Sequence, residues 1–326
     1  MRIRKIAGLL MTAVILCTTG CSEFSRKPLT FTGTALDTVI NIQIYDSHDE
    51  ELARHCLEMC NEYEAKFSRT IETSEIAQIN AAGGAPVEVS DDTIKLIKKG
   101  IYYCDMSDGA FDITIGSVTS LWDFKADDPA PPAPEAIAEA VTHVNYRKIS
   151  IDGNTVRLLD PAAKLDLGAI AKGYIADRIK EYLRDEGVRH ALINLGGNVL
   201  AIGGKQDGSP FNIGVQKPFK EGGEPITSVR INNKSVVTSG TYQRCFEKDG
   251  ILYHHILNSS SGNPCNNGLN SVTIITDSSL TADALSTTCF LLGPEAGMKL
   301  VNQLDNVDAI FINTDDELSF SRNYGK

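Results

Sequence analysis

The stretch from Lys164 to Asp177, Lys-Leu-Asp-Leu-Gly-Ala-Ile-Ala-Lys-Gly-Tyr-Ile-Ala-Asp, constrains this chain more than any other. It reads as a short alternating strand that turns at Gly168 and continues as a helix. Tyr174, Ile175, Ile179, Tyr182 and Leu183 form the helical apolar stripe, which ends near Gly187. A helix that begins behind such a turn presents unpaired backbone N–H groups and the positive end of its dipole, which together favour an anion such as a phosphate. Asp166 and Lys172 bracket the turn with one charge of each sign. The spacing is not that of a Walker loop, because Gly173 follows Lys172 where Ser or Thr would stand. A strand-helix junction with an Asp cap and a solvated lysine has the same pattern, so the stretch alone leaves both readings open.

Length and composition set the frame for that element. With 326 residues, 42% of them hydrophobic and 22% charged, the chain can bury a sizeable core in one large or two modest domains. The formal charge of -11 becomes -14 once Arg2, Arg4 and Lys5 leave with an N-terminal leader, which argues against a nucleic-acid surface. An anionic ligand must then be held by local devices, such as helix N-termini or a metal ion.

Residues 1–20 read as a secretion signal: three basic residues by position 5, an apolar run from Ile6 to Leu16, then small residues to Gly20. That run is too short to span a membrane. Thr18-Thr19-Gly20-Cys21 resembles a lipoprotein processing box, with Thr18 where leucine is usual, so Cys21 is the expected lipidation site. A secreted protein without lipid is the alternative. The expected location is the cell envelope, anchored by lipid on the extracytoplasmic face of a membrane. Residues 21–29 then form a polar tether and 30–326 a single folded domain. Of eight cysteines, six remain once Cys17 leaves with the leader and Cys21 takes lipid. Their spacing matches neither a small disulfide scaffold nor a zinc site, so buried thiols are expected.

Ile40, Ile42 and Ile44 alternate with Asn41 and Gln43 as in a half-buried strand. Helices are expected over 49–66, 74–80, 91–104 with Ser90 as cap, 134–144, and 280–292, the last stopped by Gly293-Pro294. Strands are expected at 191–195, 199–202, 211–216, 228–231, 235–238, 251–257 and 271–276. The proline-rich break at 127–134 reads as a surface loop. On the last helix Asp283 and Thr287 lie four apart and share a face, offering the hard oxygen ligands that suit Mg²⁺. A solvated helix face would look the same.

Five blocks in this order resemble the ApbE family of FAD:protein FMN transferases: Asp166 to Gly173, Asn194 to Asn198, Thr238-Ser239-Gly240, His254 to Leu257, and Ala282 to Thr287. With Asp108 to Asp112 the resemblance covers nearly all of the mature chain. It implies an α+β fold, a single domain of mixed sheets with packed helices. It also implies that FAD is split, that its FMN half is joined to a threonine hydroxyl of a separate redox protein, and that AMP is released. Carried over by position, the Ala169 carbonyl, Asp283 and Thr287, with Ser286 close by, would hold Mg²⁺. Asp166, Lys172, Gly109, Ala110, Phe111, Asp112 and Leu257 would contact FAD, and His255 would be the general base. Without the resemblance, the favoured reading of His255 is a strand histidine bonded to backbone. Thr32, where the family often has Met, and Thr70, where a tyrosine often stacks on the flavin, are carried over as FAD contacts as well; Asn258-Ser259 stands where Asp-Pro is usual, and Cys245 where an aromatic residue is common. A Mg²⁺-dependent FAD pyrophosphatase and a flavin-binding lipoprotein without turnover are the alternatives.

Overall fold

A computed structural model describes residues 27–220, 222 and 224–325. The leader, Cys21 and most of the tether lie outside the described residues. In chain order, β1 (Leu29–Ala35) and β2 (Thr38–Ile44) form a hairpin, followed by α1 (Glu50–Phe67), α2 (Glu75–Ala81), β3 (Val87–Glu88) and α3 (Asp91–Met106). Next come α4 (Gly116–Thr119), α5 (Pro134–Val141), β4 (Ile149–Asp152), β5 (Thr155–Leu158) and α6 (Ala171–Asp185). The strands β6 (Ala191–Leu195), β7 (Asn198–Ile202), β8 (Phe211–Val215), β9 (Thr227–Ile231) and β10 (Ser235–Gly240) follow. The hairpin of β11 (Cys245–Lys248) and β12 (Ile251–His254) then leads to β13 (Leu269–Thr276), α7 (Ser279–Val301), β14 (Asp308–Asn313) and β15 (Leu318–Phe320).

The result is an α+β domain around an eight-stranded sheet of order β1-β2-β6-β7-β10-β13-β14-β15, with antiparallel pairing throughout. Three smaller sheets, β3-β5-β4, β8-β9 and β11-β12, are also antiparallel. The alternation in β2 places Ile40, Ile42 and Ile44 at 0% exposure on the face covered by helices. A second apolar layer, from Phe211, Val229 and Ile231 of the β8-β9 hairpin against Val236, Ile275 and Ile310, closes the opposite face. β13 is therefore buried along its whole length, because both of its faces are covered.

Several local expectations change once the chain is packed. Lys164 makes only a single parallel bridge to Ile115, and Asp166 N donates to Ile113 O, so the central turn is entered from a pinned loop instead of a strand. Ser90 stands at the start of α3, but its hydroxyl donates to Glu75 and makes no cap bond. Gly293-Pro294 does interrupt α7. Gly293 adopts φ 83°, and Pro294 then starts a further helical segment that runs to Val301. The strands β14 and β15 lie beyond the sequence-based expectation and extend the main sheet past β13. Five of the six remaining cysteines are buried and all are free thiols, as expected.

Candidate active site

The central turn and α7 meet in a close helix-helix contact. A Cβ on Gly173 would lie 2.4 Å from the Ser279 carbonyl oxygen, so only glycine lets α6 approach α7 this closely. Two bonds use that proximity. Gly173 N donates to Asp283 Oδ2 at 2.8 Å. One turn further along α6, Asp177 accepts from Ser278 Oγ, Ser279 N and Leu280 N, capping α7 from a neighbouring helix.

Gly173 is the third residue of α6, so its N–H is one of the first-turn donors that has no acceptor within the helix, and Asp283 supplies one. Ala169 lies just before the helix, and among the described residues no amide donates to its carbonyl. Burial is the main influence on the Asp283 carboxyl and raises its pKa. The Lys172 charge, the Gly173 amide and the Asn198 side chain act in the opposite direction. Thr287, one turn beyond Asp283, is half-buried, and Ser239 Oγ lies 2.9 Å from its hydroxyl and 2.8 Å from that of Ser286. Ser286 is fully buried and donates to the Asp283 carbonyl, so it braces the helix from within. Carbonyl, carboxylate and hydroxyl form a set of hard oxygen donors that fits a small divalent cation.

Asp166 is more committed than its sequence suggests. Its Oδ1 accepts from Gly168 N at 2.9 Å, and its Oδ2 from Thr119 Oγ1 at 2.8 Å, with Arg69 Nε at 3.1 Å. Among the described residues Lys172 has a single weak bond, from Nζ to Gly168 O at 3.4 Å. Its charge is felt at both Asp283 and His255, which places the three in one electrostatic neighbourhood.

His255 sits at the bend that ends β12, not within a strand. Its backbone N donates to Arg244 O, and although the residue as a whole is half-buried, Nδ1 is sealed from solvent without a partner among the described residues. Burial, then the charges of Arg244, His254 and Lys172, push its pKa down to about 3. The imidazole is therefore neutral at physiological pH and ready to accept a proton, though its basicity is below that of an ordinary histidine. Arg244 is held in turn by Asp37, in the β1-β2 turn, at 3.1 Å.

The remaining expected contacts divide. Leu257 is buried against Val118, Trp122 and Ile137, and Ser259 Oγ donates to Gly109 O at 2.7 Å, tying the loop after His255 to the Gly109 turn. Asp112 has both oxygens occupied, by Thr114 N and Oγ1 and by Tyr146 N, and Phe111 is in the core. Both hold the turn in shape, and Ala110 is the part-exposed residue between Gly109 and Phe111. Thr32 and Thr70 are exposed and bonded only to Asn41 and Ser68. Arg69, Thr119, Ser239, Asp177 and Arg244 have parts in the site that the sequence pattern does not assign. Ser239 lies inside the Thr238-Ser239-Gly240 block, whereas Arg69 and Thr119 give no local signal because Asp166 reaches them only through the fold.

The pattern of the ApbE family matches residues 36–311. An FAD:protein FMN transferase from Klebsiella pneumoniae is 39% identical over 91% of this chain and 92% of its own length, and one from Treponema pallidum is 34% identical over 89% and 84%. Among solved structures, the ApbE protein of Thermotoga maritima superposes with a TM-score of 0.83 at 32% identity, covering 91% of this chain and 97% of its own. The flavin transferase ApbE of Vibrio cholerae gives 0.78 at 27%, covering 90% and 96%. The chain belongs to the ApbE family. Its enzymatic class is FAD:protein FMN transferase.

Proposed function

We propose that this enzyme uses Mg²⁺ to transfer FMN from FAD to a threonine hydroxyl of a separate extracytoplasmic redox protein, releasing AMP. The observation that carries the reading is the first-turn amide of Gly173 bonded to the buried Asp283 carboxylate, with no amide on the Ala169 carbonyl among the described residues. Ala169, Asp283 and Thr287 would hold the cation. Bound there, a divalent cation supplies positive charge against the pyrophosphate oxygens.

The chain's own residues carry the other tasks. Lys172 and the start of α6 hold the phosphates, and His255 accepts the proton of the incoming hydroxyl. The bond between threonine oxygen and the FMN phosphorus forms as the bond from that phosphorus to the AMP oxygen breaks, and AMP leaves with the electron pair. Leu257 and the turn at Gly109 and Ala110 wall the flavin side. Water in place of threonine would give FMN and AMP, so excluding it is part of the task.

The test is to incubate the protein with FAD and Mg²⁺, with and without a candidate acceptor, and to follow AMP. Release that requires acceptor supports transfer. Equal release without acceptor overturns it in favour of hydrolysis, and no release indicates a binder. We also place the chain on the extracytoplasmic face of a membrane through lipid on Cys21, a reading that rests on the leader and its processing box. Cys21→Ser should shift the protein to the soluble fraction with transfer intact, and unchanged membrane association would rule out that anchor.

A further inference from the structure

Asn198 begins β7 immediately after the Gly196-Gly197 turn and is only 1% exposed. Its Oδ1 accepts from Ser279 Oγ at 2.5 Å, and Ser235 Oγ lies 3.0 Å from Ser279 Oγ and 3.0 Å from Val199 O. With the amide oxygen on the Ser279 hydroxyl, the other end of the side chain is the NH₂ group. Nδ2 is the end turned away from Ser279. It is buried and closes no ordinary hydrogen bond with any described residue. A buried amide nitrogen in that state requires a reason.

Helix geometry supplies one. Ser279 and Asp283 are four apart on α7, so Asp283 lies one turn along the face that Asn198 touches. The Asn198 side chain also lies within interaction range of the Asp283 carboxylate. Reversing the amide would set its oxygen against the carboxylate oxygens. Gly173 N approaches the same carboxylate from α6, so donors from a helix and from a strand converge on it.

We infer that Asn198 is a positioning residue for the cation site: its Nδ2 steadies the Asp283 carboxylate and is itself held in place by Ser279. The inference rests on the reading of Asp283 as a cation ligand. Residues that orient a metal ligand typically change metal affinity ten- to a hundredfold when lost. Ser279 acts only through Asn198, so removing both should cost no more than removing Asn198.

Mn²⁺, a hard octahedral probe for such a site, can be titrated into FAD-free protein and counted by electron paramagnetic resonance. Thermal melts in EDTA establish that each variant is folded. Asn198→Leu should weaken Mn²⁺ binding about ten- to a hundredfold, Ser279→Ala should weaken it less, and the double variant should bind no more weakly than Asn198→Leu alone. The deficit in flavin transfer should also narrow as Mg²⁺ is raised. Should Asn198→Leu fail to fold, Ser279→Ala carries the test, because it keeps the amide and removes its anchor. Wild-type affinity in the folded Asn198→Leu protein overturns the inference, or in Ser279→Ala if that variant has to stand alone. Fully additive losses overturn it as well. Binding by Asp283→Ala as tight as wild type overturns the cation reading itself, and this inference with it.

Discussion

At the α6-α7 junction the polar groups are buried and linked across the fold: Gly173 N to Asp283, Asp177 to three groups at the start of α7, and Ser239 to both Ser286 and Thr287. Around Thr32 and Thr70 the side chains are exposed, and their bonds go only to a cross-strand partner and a near neighbour in the chain. In the first region each donor is already aimed, so the ordering cost has been met on folding. The second is held through its backbone, by the β1-β2 ladder and the turn at Ser68, while its side chains stay free to adjust. Chemistry that needs charge placed to within a fraction of an ångström belongs in the first kind of region. Recognition of a flat aromatic ring tolerates the second.

The sharpest way to break this contrast is Asp283→Ala. It removes the only full charge assigned to the cation, and single-turnover flavin transfer should fall by at least about a thousandfold. Near-normal transfer at ordinary Mg²⁺ would sink the site assignment. His255→Ala should lower the transfer rate by about a hundred- to ten-thousandfold while FAD still binds, whereas Lys172→Ala should appear mainly as weaker FAD binding. Fitting both variants for affinity and for rate decides the matter, and the reverse pattern would mean the two roles are exchanged.

Gly173→Ala probes the junction through packing alone. The added methyl meets the Ser279 carbonyl, so the helices must part, at a stability cost of about 1–3 kcal/mol and with weaker cation binding. A denaturant midpoint equal to wild type would show that the close approach is dispensable.

Acid provides a milder test. Burial pushes His254 down to about 4 from its ordinary 6.5, so it is neutral in the folded protein while the unfolded chain takes up a proton as pH falls. Its share of stability is present above about pH 6.5 and is lost between there and pH 4, amounting to roughly 3 kcal/mol. Asp112 and Asp283, raised by burial, act in the opposite direction, so the useful quantity is a difference. The stability gap between wild type and His254→Gln should shrink from pH 7 to pH 4, and a constant gap would contradict it. The smallest effects belong to the exposed side. Thr32→Ala and Thr70→Ala should leave stability within about 0.5 kcal/mol of wild type and change FAD affinity only a few-fold. A loss of binding as large as that of Lys172→Ala would erase the distinction between the two regions.

Much of this was legible from local pattern. The alternation at Ile40, Ile42 and Ile44, the stripe on α6, and the shared face of Asp283 and Thr287 each follow from a period of two or 3.6 residues. The order of the five blocks carried the family and the single α+β domain. What local pattern could not convey was any interaction between distant segments. Arg69 and Thr119 meet Asp166 across separations of 97 and 47 residues. Ser90 gave up its cap role because Glu75, fifteen residues earlier, reached it first. The depressed pKa of His255 depends on burial and on Arg244, neither of which its neighbours in sequence declare.

The sequence by itself determined most of the longer helices and strands, which residue types could hold a cation and phosphates, and several of the turns. These are consequences of periodicity, capping and backbone freedom within a few residues. Only the tertiary structure decided that Gly173 would give its amide to Asp283, that the Ala169 carbonyl would be left without a donor, and that Asn198 would be buried facing the same carboxylate. A hydrogen bond has one geometry and each donor a limited supply of protons, so the partner is chosen by whichever group the packed helices bring within reach.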